Sequence, residues 1–348
     1  MNSHPSRRTV LAGSAALATL AHPLAAAAQA RAAVDAASPA MQSMLNWVRG
    51  QKTTGFLIVQ DRKVLVEKNW PAPNDGGMFR AMVYETTPDG ELLEDIASQQ
   101  KSFVSMLVAV AIDKGLIDVS KPVNAYIGAG WSRASADREG KIRVIDVLTM
   151  SSGLTPEFSY AAPPGTTFYY NTPVYAVTKR IVAAAANQPL EVITRDWLTA
   201  PAGMTHTNWR KRPGSMADVG NPTGLVTGPR DVAIFGQIVL DGGKAADGTR
   251  IVSEAGLKAM FQRSATNPAY GRLWWLNGSD YAIRPFDRRV SGPMIPAAPA
   301  DLVAALGALD RKLYVVPSKQ LIVVRMGAAA PDKDFDQQLW LRLAAAGL

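Results

Sequence analysis

The stretch Phe103-Val104-Ser105-Met106-Leu107-Val108-Ala109-Val110-Ala111-Ile112 has no polar face. An amphipathic surface helix would show charged or amide residues every third or fourth position. Their absence predicts a helix buried almost all round in a domain core. The chain has 348 residues, too many for a minimal domain and too few for two large ones, so one core carrying an insertion is expected.

Ser98-Gln99-Gln100-Lys101 opens that run and is the only Ser-x-x-Lys in the chain. Positions three apart on a helix share a face, so the Lys101 amine can reach the Ser98 hydroxyl. Among apolar side chains a lysine loses hydration of its charged form, and its pKa falls toward the range where the neutral amine accepts a proton. The pair therefore points to a serine nucleophile activated by lysine. On spacing alone, Ser98 as a helix cap and Lys101 as a solvated first-turn residue is the stronger reading. The partners downstream reverse that order.

The first thirty residues read as an export address. Ser6-Arg7-Arg8-Thr9-Val10-Leu11 resembles a twin-arginine signal, an alanine-rich apolar stretch runs to Ala28, and Ala28-Gln29-Ala30 fits a small-x-small cleavage site. A periplasmic or secreted protein cleaved after Ala30 is the expectation. His22-Pro23 interrupts a run already short for a bilayer, and no later segment is apolar enough to span one.

With no cysteine, disulfides, thiol nucleophiles and thiolate metal sites are excluded. Of three histidines, His4 and His22 leave with the signal, so neither a histidine-rich metal site nor any cofactor is implied. A Ser-His-Asp triad would have to use His206, which lies in a polar loop-like stretch with no Gly-x-Ser-x-Gly elbow to partner it. The net charge of +8 is mild, and no dense Lys/Arg tract interleaved with aromatics suggests nucleic acid as a partner.

Strand-like runs occupy both ends: Gly55–Val59 and Val64–Glu67 early, Leu313–Val316 and Leu321–Val324 late. Helical patterns cover residues 40–50, 172–186, 190–198, 231–240 and 332–346. The fold class expected is α/β, an antiparallel sheet assembled from distant segments and flanked by helices. Residues 31–117 and 222–348 form its sandwich core, and 118–221 a mostly helical insertion.

After the turn Pro163-Pro164-Gly165 comes Thr166-Thr167-Phe168-Tyr169-Tyr170-Asn171. In an extended segment residues two apart face one side, which sends Tyr169 and Asn171 together into a cleft. There a phenol could relay a proton and an amide could bind substrate. Alternatively, Asn171 caps the helix that starts near Thr172.

Taken in order, Ser98-x-x-Lys101, Gly115-Leu116-Ile117-Asp118, Leu148-Thr149-Met150-Ser151-Ser152-Gly153-Leu154, Pro164-Gly165 with Tyr169-Tyr170-Asn171, Thr223-Gly224-Leu225 and Tyr314-Val315-Val316-Pro317 resemble the serine β-lactamase and penicillin-binding-protein superfamily, nearest its class C and esterase-like branch. The resemblance implies an α/β sandwich with a helical subdomain and a groove between them. Ser98 would be acylated, Lys101 would help remove its proton, and Tyr169 would act as general base and proton shuttle.

The resemblance also places Ala305-Leu306-Gly307-Ala308 on the strand bordering the groove. The backbone N–H groups of Ser98 and Ala308 would form an oxyanion hole, with Gly307 and Asn171 touching substrate. The family's Lys or His in that strand is replaced by Ala305. Its loss argues for a small neutral ester or amide as substrate, and against an efficient β-lactamase or D-alanyl carboxypeptidase. A non-catalytic relative that keeps the groove for binding a cell-wall peptide or a protein partner is the reading from another class.

Overall fold

The computed structural model describes Met1 and residues 34–74, 77–217, 220–285 and 288–348. The export signal expected in residues 1–30 lies outside the described residues, Met1 apart.

Strands from the two ends of the chain pair directly. Strand β1 (Thr53–Gln60) turns through Asp61 and Arg62, both with positive φ, into β2 (Lys63–Asn69). It also runs antiparallel to the last strand, β12 (Leu321–Gly327), with Leu57 opposite Val324 and Gln60 opposite Leu321. Strand β11 (Arg311–Val316) joins β12, followed outward by β10 (Val303–Gly307) and the short β7 (Trp275–Leu276), giving the order β2-β1-β12-β11-β10-β7.

Every residue of β1, β11 and β12 is buried, as expected of strands covered on both faces. Helix Pro229–Leu240 lies on the face of Leu313 and Ile322, which approach Gly236 closely. The C-terminal helix Phe335–Ala345 lies on the opposite face, where Trp340 meets the Tyr314 ring at 5.7 Å. It stacks on helix Pro39–Gly50 through Phe335 and Trp47.

A second sheet holds β3 (Val83–Thr86), β4 (Leu92–Asp95), β5 (Asn208–Lys211) and β6 (Thr223–Thr227) in the order β3-β4-β6-β5. The expected boundary at 221/222 falls inside its β5–β6 hairpin, so these strands link the two segments that the boundary separates. Between 118 and 202 the chain is helix and loop, the longest helix being Thr172–Ala186. A two-stranded hairpin, β8 (Tyr281–Arg284) and β9 (Arg288–Ser291), completes the strands among the described residues.

The all-apolar run forms helix α1 (Gln100–Asp113), with every residue from Gln100 to Ala111 buried. It packs on helices 172–186 and 254–260, and Phe103 stacks on Phe235 at 3.8 Å between centroids. No helix among the described residues is long and apolar enough to cross a membrane.

Candidate active site

Ser98 sits in a tight turn between the second sheet and α1. Strand β4 ends at Asp95, Ala97 takes a left-handed φ of 50°, and a single 3₁₀ turn, Ala97–Gln99, runs into the helix. A non-glycine residue there needs external support. Asp95 Oδ1 accepts the Ala97 N–H at 2.8 Å, and the buried Arg212 guanidinium grips the same carboxylate at 2.7 and 2.9 Å. Asp95 fits because Gly224 has no side chain: a Cβ there would stand 2.0 Å from Asp95 Oδ2.

One helical turn on, the Lys101 amine donates to Ser98 Oγ at 2.9 Å and to Thr172 Oγ1 at 3.2 Å. The lysine is 2% exposed, with its Nζ 4.9 Å from the centroid of the Tyr170 ring and 4.6 Å from that of Tyr175. Burial, aided by the positive charge of Arg212, lowers its pKa to about 7. A large share of the amine is then neutral near pH 7 and able to take the serine proton.

The tyrosine at Ser98 is Tyr170, not Tyr169. Phe168, Tyr169 and Tyr170 do alternate in burial, but in the other phase. Phe168 is buried against Tyr270 and Trp275, so Tyr170, two residues on, shares its inward face and stacks on Trp275 at 5.6 Å. Tyr169 is 37% exposed. The Tyr170 hydroxyl is within hydrogen-bonding reach of Ser98, and burial pushes its pKa up to about 12.

Asn171 is likewise not in the cleft. Its Oδ1 accepts the Val174 N–H at 3.1 Å and its Nδ2 donates to the Leu154 carbonyl at 2.9 Å, so it caps the helix and ties down a loop. The residue that meets Lys101 is Thr172, the first of that helix.

A cavity of about 330 Å³ opens above Ser98, lined also by Tyr170, Trp275, Arg284, Met294, Leu306, Gly307, Ala308 and Asp336. Gly307 and Ala308 are thus brought beside Ser98 as expected. The close approach explains the glycine: a Cβ on Gly307 would lie 2.3 Å from the Ile96 carbonyl oxygen. Ala305 is buried and does not line the cavity. A cation arrives from elsewhere, on β8: Arg284, whose Nη2 donates to the Met294 carbonyl and whose buried Nε has no hydrogen-bond partner among the described residues.

Residues 24–347 match the Beta-lactamase family. The chain belongs to the β-lactamase family. An Escherichia coli O157:H7 protein provisionally named a D-alanyl-D-alanine carboxypeptidase is 21% identical over 317 residues, 69% of this chain and 72% of that protein. Among solved structures, a provisionally named β-lactamase of Bacteroides dorei DSM 17855 superposes with a TM-score of 0.68 at 15% identity, covering 90% of this chain and 99% of its own. A class C β-lactamase of Rhodobacter sphaeroides gives 0.62 at 15%, covering 88% and 98%. At such identities the structural likeness establishes a shared fold.

Other features of this β-lactamase-family chain fall outside the cavity. Of the tryptophans at 131, 274 and 275 and the tyrosine at 160, Trp275 lines it, beside Tyr170. Trp274 stacks on Phe235 in the core, Trp131 meets Phe158, and Tyr160 lies under Arg138. His206 is a surface histidine with Nδ1 3.3 Å from Glu91 Oε2. No cluster of three or more His, Cys, Asp or Glu suited to a metal occurs among the described residues.

Three site features escaped sequence reading. Tyr170 could have been found by asking which face Phe168 must bury, and Thr172 by reading Asn171 as the cap of the helix it opens. Arg284 carries no local signal, because its role depends on a hairpin folding back over Ser98.

Proposed function

We propose that the protein is a serine hydrolase that works through an acyl-enzyme on a small ester or amide. The observation that carries this is the buried Lys101 amine 2.9 Å from Ser98 Oγ, with the Tyr170 hydroxyl on the same serine. Lys101 takes the serine proton as Ser98 Oγ bonds to the substrate carbonyl carbon, and the C=O π electrons move onto the oxygen. The Ser98 and Ala308 N–H groups are the candidates to receive that charge. Tyr170, protonated at neutral pH, gives its proton to the leaving group and is reprotonated by Lys101. Water then attacks the acyl-enzyme through the reverse proton path.

The mostly apolar walls, Trp275, Pro285, Met294 and Leu306, suit an apolar acyl group, in keeping with a neutral substrate. Arg284 favours a second reading, a substrate with a carboxylate, as in a β-lactamase or D-alanyl-D-alanine carboxypeptidase. The twin-arginine reading of the N-terminus supports action outside the cytoplasm, tested by sequencing the N-terminus of the exported protein.

The two substrate readings separate on one comparison, kcat/KM for a nitrophenyl ester and a chromogenic cephalosporin on the wild type and Arg284→Gln. Neutral preference predicts fast ester turnover, with cephalosporin poor in both proteins. Cephalosporin turnover that falls about tenfold or more in Arg284→Gln would establish the carboxylate reading instead.

A further inference from the structure

The turn that carries Ala308 contains residues that do not favour its shape. Between β10 and β11 the chain bends through Ala308, Leu309 and Asp310, and the last two have φ of 60° and 59°. Successive non-glycine residues in the left-handed region persist where their surroundings fix them.

Two buried arginines do so. Arg311 Nη1 donates to the Ala308 carbonyl at 3.3 Å, and Arg325 Nη1 to the carbonyls of Leu309 at 2.8 Å and Asp310 at 3.1 Å. Arg311 is in turn paired with Glu94 at 2.7 Å, both side chains fully buried. The Thr54 hydroxyl donates to the other Glu94 oxygen. Glu94 immediately precedes Asp95, which holds the Ala97 N–H beside Ser98. Adjacent acids of β4 thus reach the backbone on both sides of the cavity, Asp95 directly and Glu94 through Arg311.

We propose that Arg311, anchored by Glu94, is a positioning residue that holds the Ala308 turn so that its N–H stands opposite Ser98. It touches no substrate and acts through the Ala308 carbonyl. The proposal rests on the acyl-enzyme reading, in which that N–H meets the charge on the carbonyl oxygen as Ser98 adds. A misplaced donor weakens the transition state far more than the bound ground state.

Arg311→Lys tests this, because an ammonium can keep the pairing with Glu94 but has no fork to span to the carbonyl. For a nitrophenyl ester, kcat should fall about 10- to 100-fold with KM within about twofold. Inhibition by phenylboronic acid, whose tetrahedral adduct with Ser98 mimics the oxyanion, should weaken in parallel. Leu309→Gly in the Arg311→Lys background should recover much of the loss, since glycine enters the left-handed region unaided. Leu343→Ala, in the C-terminal helix, gives a lowered melting temperature with unchanged kcat as the control for instability. If Arg311→Lys does not fold, the uncharged pair Glu94→Gln/Arg311→Gln carries the same expectations.

Wild-type kcat and boronate affinity in Arg311→Lys, or in Glu94→Gln/Arg311→Gln where that is the variant that folds, with Ser98 still acylated, would overturn the positioning role and leave the hydrolase reading standing. A wild-type protein whose Ser98 is never acylated would overturn both.

Discussion

Lys101 places its amine where a charge is poorly solvated, and this has two measurable consequences. With its pKa lowered to about 7, kcat/KM should rise with pH through an inflection near 7 as the amine becomes neutral. The same depression opposes folding. Between about pH 7 and 10.5 the unfolded chain holds a proton on Lys101 that the native protein has released, so stability rises with pH across that window. Lys101→Met should therefore abolish turnover yet raise stability, at about 1.4 kcal/mol per tenfold change in proton affinity. The gain is greatest below pH 7 and gone above 10.5, and denaturant melts at pH 6, 8 and 10 would show it. At Tyr170 the expectation is simpler: Tyr170→Phe should lower kcat about 10²–10⁴-fold, whereas Tyr169→Phe stays near wild type. The opposite pattern would return the role to Tyr169. Ser98 and Lys101 were legible because helix spacing and an apolar context bear on the same two residues. The tyrosine was missed by one position because alternation gives a period without a phase, and the phase came from burying Phe168.

At the scale of elements, the site depends on how closely β10 approaches the Ser98 turn. Gly307 permits this, and Gly307→Ala should push the strand away from the Ile96 carbonyl, costing about 1–3 kcal/mol of stability and most of the activity. A crystal structure of that variant with β10 unmoved and kcat intact would contradict the argument. The terminal strand pairs could be read from apolar runs around turns, the helix over 172–186 from its pattern, and helix α1 from its lack of a polar face. Strands β3 to β6 could not. They are four or five residues long, and β4 carries Glu94 and Asp95, acids that pattern alone assigns to water. Their burial follows from Arg311 and Arg212, partners far away in sequence that local reading takes for solvated cations.

Across the whole molecule, the first and last strands of the fold pair, and the sheet they form carries β10 to the serine at the start of α1. The α/β class followed from strand signals at both ends with helices between, and the sheets and the superposed structures bear it out. The cavity's lining was less legible, because Trp275 on β7, Arg284 on β8 and Asp336 on the C-terminal helix come from separate elements that converge only after folding. The central claim is that Ser98 is the nucleophile, and the most direct measurement is labelling of the full chain with a fluorophosphonate probe, located by peptide mass spectrometry. A stoichiometric label on Ser98 is expected, absent in Ser98→Ala and slowed in Lys101→Met. A label on another serine, or undiminished ester turnover by Ser98→Ala, would contradict it.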